Sequence, residues 1–158
     1  MTSGMTSLSR ARLIAILVPN ALLWGAIGSQ YIGGLVPCEM CMWQRWPHLV
    51  AIVLALVAIL LRGNPSASRG FIALAALAIL VSGGLGAFHA GVEYHWWAGP
   101  AHCTAPHFTS FTDLMTAPVV QCDVPQWTLW HISLAGWNAI VSLLSGLFIL
   151  SLLARRVR

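Results

Sequence analysis

Four apolar runs, each about as long as a membrane is thick, leave this chain few folds to choose from. They cover residues 13–33, 41–61, 71–92 and 132–154 approximately, and a hydrocarbon core of about 30 Å takes roughly 20 helical residues to cross. Unpaired backbone cannot face lipid, and no barrel-like alternation occurs, so each run must be helical. The expected fold is all-α, a four-helix transmembrane bundle forming one integral membrane domain over residues 1–158. Composition agrees: 58% of the 158 residues are hydrophobic and only 8% charged, which a water-soluble domain could carry only by exposing large apolar patches. The eight arginines against four acids are too sparse and scattered to make a nucleic-acid surface.

The arginines also predict orientation. Arg10 and Arg12 precede the first run, Arg62 and Arg69 bound the loop between the second and third, and Arg155, Arg156 and Arg158 follow the fourth. With four spans these lie on one side, which the positive-inside rule makes cytoplasmic, as are both termini. Arg45 alone falls opposite. The first run could instead be a signal peptide, but it is longer than an h-region of about 7 to 15 residues, and a retained helix is expected.

All four cysteines then share the outer side with Glu39, Glu93, Asp113 and Asp123, in the short loop 34–40 and the long loop 93–131. In a bacterium with a periplasm that compartment is oxidising. Trp43, Trp46, Trp96, Trp97, Trp127 and Trp130 gather there too, as an interfacial belt would. Pro100, Pro106, Pro118 and Pro125 make the long loop irregular, except where Phe108, Phe111, Leu114 and Met115 recur at helical spacing behind Ser110 and Asp113, the pattern of a short surface helix. Small residues in the spans, Ser82-Gly83-Gly84 with Gly86 and Ala87, and Ala135-Gly136 with Ser142 and Ser145, either allow close helix approach or are ordinary membrane composition.

Cys38 and Cys41 form a Cys-x-x-Cys pair, a spacing that suits reversible electron exchange. Half of a zinc site is the other reading, but zinc favours tight knuckles on both sides, and Cys103 and Cys122 are widely separated, so no metal is expected. A Cys103–Cys122 disulfide would close a loop of about twenty residues, and in isolation it serves equally as a staple worth about 3 kcal/mol or as a reactive bond. A second dithiol on the same side favours exchange. Arg45, four residues after Cys41, shares its face if helix begins at the dithiol, where it can stabilise a thiolate and hydrogen-bond a carbonyl oxygen. Pro47 fits near a helix start. His48, His89 and His131 stand near the outer ends of three helices, which admits a haem reading, although interfacial histidines bonded to backbone or water are the simpler account for His48 and His131.

Cys38-Glu39-Met40-Cys41-Met42-Trp43-Gln44-Arg45-Trp46-Pro47-His48 resembles the Cys-x-x-Cys-x-x-Gln-Arg-x-Pro signature of the disulfide bond formation protein B family. His89-Ala90-Gly91-Val92-Glu93 is similar to that family's third-helix motif, and Cys122-Asp123, Trp127 and Ser133-Leu134-Ala135-Gly136-Trp137-Asn138 to the start of its fourth helix. The likeness runs from about residue 13 to 150. It implies a protein-dithiol:quinone oxidoreductase of the bacterial inner membrane. A soluble periplasmic thiol oxidase (DsbA-like) would pass electrons to Cys103–Cys122, then to Cys38–Cys41, and on to ubiquinone or menaquinone from the membrane quinone pool. The catalytic residues would be Cys38, Cys41, Cys103 and Cys122, with Arg45, His89 and Glu93 at the cofactor. Such partners are strong oxidants near about −120 mV, so only an acceptor as oxidising as a respiratory quinone keeps them charged. A vitamin K epoxide reductase-like enzyme carries its Cys-x-x-Cys after the loop pair, the reverse order. A b-type haem protein, or a disulfide-stapled membrane subunit without enzymatic activity, would also fit four spans and four cysteines.

Overall fold

The computed structural model describes residues 6–101, 103 and 121–154. Four helices, α1 (Ser7–Tyr31), α2 (Glu39–Leu60), α3 (Pro65–Glu93) and α4 (Leu134–Ala154), are each long and apolar enough to cross a membrane. A two-stranded antiparallel hairpin, β1 (Thr128–Leu129) and β2 (Ile132–Ser133), leads into α4. Arg155, Arg156 and Arg158, and the surface helix expected around Phe108 to Met115, lie outside the described residues.

Local chemistry sets the helix ends. Thr6 caps α1 by accepting from Ser9 N, and α3 begins at Pro65, ahead of its apolar run, because Asn64 accepts from Ala67 N and Pro65 needs no donor there. Cys38 is itself the N-cap of α2, with Sγ accepting from Cys41 N at 3.2 Å. This early start leaves Pro47 inside α2 rather than near its beginning, a position membrane helices tolerate when neighbours satisfy the freed backbone. Ser82 Oγ on α3 donates to the nearby Gln44 carbonyl at 2.8 Å. α4 starts at Leu134, not Ile132, because Ser133 Oγ accepts from Gly136 N while Ile132 pairs with Leu129.

Size is sorted across the bundle. Its interior away from the cysteines is built on Ala11, Ala15, Ala51, Ala55, Ala75 and Ala76 with Ile72, Ile79 and Ile149, whereas Leu17, Val53, Leu74, Leu77, Leu144 and Leu147 point outward, where lipid solvates them. The small residues on α3 and α4 divide sharply by face. A Cβ on Gly86 would meet Ala135 O at 2.9 Å and Ala139 N at 3.0 Å, and one on Gly83 would meet Leu143 and Ser142, but one on Gly84 would meet nothing within 4 Å. Gly83 and Gly86 are thus where α3 and α4 close on each other.

At the end of the bundle away from the cysteines, Arg12 Nε donates to Ser68 Oγ at 2.9 Å, Ser68 Oγ donates to Ala58 O, and Arg69 donates to Leu153 O. These bonds tie α1, α2, α3 and α4 together. At the opposite end the chain between α1 and α2 turns through Gly34, whose φ of +70° suits glycine.

Candidate functional site

Cys38 sits at the N-cap of α2 and Cys41 in its first turn, which brings their Sγ atoms 2.7 Å apart as free thiols. Cys103 and Cys122 are joined as a disulfide across Cα atoms 5.3 Å apart. Cys38, Met40, Val92, Cys103 and Cys122 pack as one buried cluster, so the end of α3 holds the loop disulfide against the dithiol. Cys103 and Cys122 are 2% and 1% exposed. Cys103 N donates to Pro100 O and Cys122 N to Cys103 O.

His89, one turn before the end of α3, stands between the two pairs. Its Nε2 lies 3.1 Å from Cys122 O, 3.6 Å from Cys38 Sγ and 3.8 Å from Glu93 Oε1. Donor atoms of Cys38, His89 and Cys122 all lie within 4.8 Å of one another. Such a trio could hold a soft metal only with the Cys103–Cys122 disulfide reduced, since the sulfur ligand is a thiolate. The Cys38 thiol, outside the spanning helix, is held above the ordinary thiol range by its hydrogen bond with Cys41 and then by burial.

Cys41 shares a helix face with Arg45, and both line a cavity of about 270 Å³ between α1, α2, α4 and the loops. Arg45 Nη1 donates to Gln30 Oε1 at 2.7 Å and Nη2 to Ala26 O at 3.2 Å, both on α1. His89 and Glu93 reach the same cavity, opened toward α1 by Ala26 and Ser29.

A polar network runs inward from His89. Gln44 Nε2 donates to His89 Nδ1 at 2.8 Å and to Met40 O at 3.0 Å, and Gln44 Oε1 accepts from Asn138 Nδ2 at 2.9 Å. Asn138 Nδ2 also donates to Ser82 O, and Asn138 Oδ1 accepts from Ser142 Oγ and from His48 Nε2. His48 is therefore a buried member of this network, 3% exposed, rather than an interfacial residue bonded to backbone or water. The sequence pointed to Ser82 only as a small packing residue and to Asn138 only within a motif, and Gln30 went unmarked. The signal was present, since uncharged polar side chains inside apolar spans need partners there.

These features define a class: a multi-pass membrane protein that packs a bonded and a free cysteine pair against each other at one end of its helices, beside a largely apolar cavity. The chain belongs to the disulfide bond formation protein B family; the family profile described as Disulfide bond formation protein DsbB matches residues 9–152. Similar proteins include a Disulfide bond formation protein B of Verminephrobacter eiseniae, 32% identical over 148 residues, 87% of this chain and 81% of the relative. Another from Polaromonas naphthalenivorans is 32% identical over 161 residues, covering 93% of each chain. No solved structure matches it significantly. The protein is thus a membrane oxidoreductase of disulfide bond formation.

Proposed function

We propose that this protein oxidises a periplasmic dithiol oxidase of the DsbA-like kind and delivers the electrons to ubiquinone or menaquinone in the bacterial inner membrane. The observation that carries the proposal is the meeting of Cys38 and Cys122 sulfurs within 4.8 Å, close enough for one small displacement to bring them into bonding range.

The relay is a series of thiolate–disulfide exchanges. The partner's thiolate attacks Cys103, forming a mixed disulfide and releasing Cys122 as thiolate. The partner's second thiol resolves that bond and leaves oxidised, so its two electrons now reside in Cys103 and Cys122. Cys122 thiolate then attacks Cys38 of an oxidised Cys38–Cys41 pair, forming Cys38–Cys122 and releasing Cys41 thiolate. Cys103 attacks Cys122 in turn, restoring the loop disulfide and leaving Cys38 and Cys41 reduced. The described arrangement, with the loop pair bonded and the helix pair free, has the form of that last state.

The cavity fits a quinone by its donors and walls. Arg45 offers five N–H groups, of which only two of its nitrogens bond α1, and the rest of the lining is mostly aliphatic with Trp127 and Trp137. A bound quinone would supply a two-electron, two-proton sink. The chain's own part is to seat that acceptor beside Cys41, donate to its oxygen from Arg45, and keep water out with an apolar wall.

The orientation follows from the arginines, with both termini in the cytoplasm and the cysteines in the periplasm. Reporter fusions at Asn64 and Arg158 should give cytoplasmic signals, and one at Thr109 a periplasmic one. The deciding experiment mixes purified protein, a reduced dithiol partner and quinone, and follows quinone absorbance. Turnover that needs all four cysteines is expected; no turnover would reject the proposal.

A further inference from the structure

We infer that Gln44 and Asn138 are positioning residues that hold His89 as a neutral imidazole with its proton on Nε2, a donor set between the Cys122 carbonyl and the Cys38 sulfur and not a base. The inference rests on the relay above for its catalytic consequence, but the state of the ring follows from hydrogen bonding alone.

Backbone carbonyls only accept, and they fix both amides. Asn138 Nδ2 lies 3.2 Å from Ser82 O, so that atom is the nitrogen, and its other contact at 2.9 Å must be a donation to Gln44 Oε1. Gln44 Nε2 lies 3.0 Å from Met40 O, so that atom too is the nitrogen. Turning either amide over would set oxygen against oxygen at its carbonyl. The Gln44 nitrogen is left facing His89 Nδ1 at 2.8 Å, which can only be a lone pair. Cys122 O, 3.1 Å from Nε2 on the far side of the ring, independently requires the proton there. Two unrelated contacts give one tautomer.

The groups around the ring agree. Glu93 Oε1, on the same helix, is 3.8 Å from Nε2 and can only accept when ionised. Cys38, on α2, presents its sulfur to Nε2 at 3.6 Å. His48, the other histidine of the network, touches Asn138 and Ser82 through its own Nε2 and does not reach His89. Protonating Nδ1 as well would press N–H against the Gln44 amide N–H, which the network cannot relieve without losing the Met40 or Asn138 bond.

The consequence lies in the last exchange of the relay. When Cys103 attacks Cys122, the Cys38–Cys122 bond breaks and its electron pair leaves on Cys38, a sulfur whose surroundings otherwise favour the thiol. His89 Nε2 lies 3.6 Å from that sulfur, and its proton, which bonds Cys122 O in the described state, can turn toward the charge as it forms. A histidine free to choose tautomers would spend part of its time with a lone pair toward the leaving sulfur, which repels it. Gln44 and Asn138 hydrogen-bond no cysteine; although both border the cavity, toward the sulfurs they act through His89.

Histidine-selective 15N NMR of the purified full-length protein in nanodiscs at neutral pH tests this, with the His89 signals assigned by their loss in His89→Gln. Wild type should show a protonated Nε2 and a lone-pair Nδ1. Gln44→Leu and Asn138→Leu should both give tautomer mixtures, although Asn138 does not contact the ring, and Gln44→Glu should protonate both nitrogens. With saturating quinone and partner, Gln44→Leu should lower kcat about tenfold, the loss of one charge-assisted hydrogen bond. A wild-type proton on Nδ1, or a His89 pattern indifferent to Gln44, would overturn the assignment, and an altered ring with unchanged kcat would overturn the positioning role. A wild type that failed to reduce quinone would defeat the relay and leave the NMR result standing.

Discussion

Arg45 Nη1 donates to Gln30 Oε1 at 2.7 Å, so the one arginine that the described residues place at the cysteine end of the spans is held by α1 while it faces the cavity beside Cys41. Arg45→Ala should therefore raise the quinone KM about ten- to hundredfold, the worth of one charge-assisted hydrogen bond of about 1.5 to 3 kcal/mol. Arg45→Lys should recover part of this, since it keeps the charge without the planar fork. Gln30→Leu should give a smaller rise by loosening the guanidinium. Steady-state kinetics with quinone and partner varied separately check it, and a normal quinone dependence in Arg45→Ala would return the residue to a membrane anchor.

The approach of Cys38 to Cys122 predicts a specific crosslink. A Cys41→Ser, Cys103→Ser protein retains only those two thiols and should form an intramolecular disulfide on mild oxidation. Peptide mapping under non-reducing conditions would show it. The opposite pair, Cys41 with Cys103 in a Cys38→Ser, Cys122→Ser protein, should crosslink far less, because His89 and Cys122 O meet on the Cys38 side.

Gly86 and Gly84 provide an internal comparison. Gly86→Ala places a methyl against the Ala135 and Ala139 backbone and should destabilise by about 1 to 3 kcal/mol, as overpacking does. Gly84→Ala meets only open space and should be neutral or slightly stabilising. Thermal unfolding in detergent, followed by exposure of a buried thiol, measures both; equal behaviour would mean that α3 and α4 do not close at Gly86.

The hairpin before α4 turns through Trp130 and His131, both in the left-handed region at φ 50° and 62°, the turn that Asn-Gly ordinarily supplies. His131→Gly should stabilise by up to about 1 kcal/mol, and His131→Val should cost at least that, because a branched Cβ suits positive φ least. Trp130 is a poorer target, since its ring packs edge-on against Trp137 at 6.0 Å. Denaturation of the single variants would show the difference.

The spans were legible because about twenty apolar residues have one stable form in lipid. Their ends were less so: hydropathy begins the third run at Phe71, while the capping pair Asn64-Pro65 starts α3 earlier. Ser133, likewise, signals the start of α4 through its cap, but the hairpin that places Ile132 in a strand depends on a turn with no glycine to announce it. The family motifs drew attention to Cys38, Cys41, Arg45 and His89. What they could not convey was which partners those side chains meet. Gln30, Ser82 and Asn138 are separated from their partners by fifteen to more than ninety positions, and only the packing of α1, α3 and α4 around α2 brings them together.

The loop disulfide is almost wholly covered, and its Cys122 carbonyl is held by His89. A reductant arriving by diffusion finds no sulfur surface to strike, so the bond is insulated from stray small thiols by the cost of prising the segment away. A protein partner that grips the loop can offset that cost with its own binding energy. In the proposed relay, fidelity would then be decided before any sulfur reacts, by the docking that uncovers the bond.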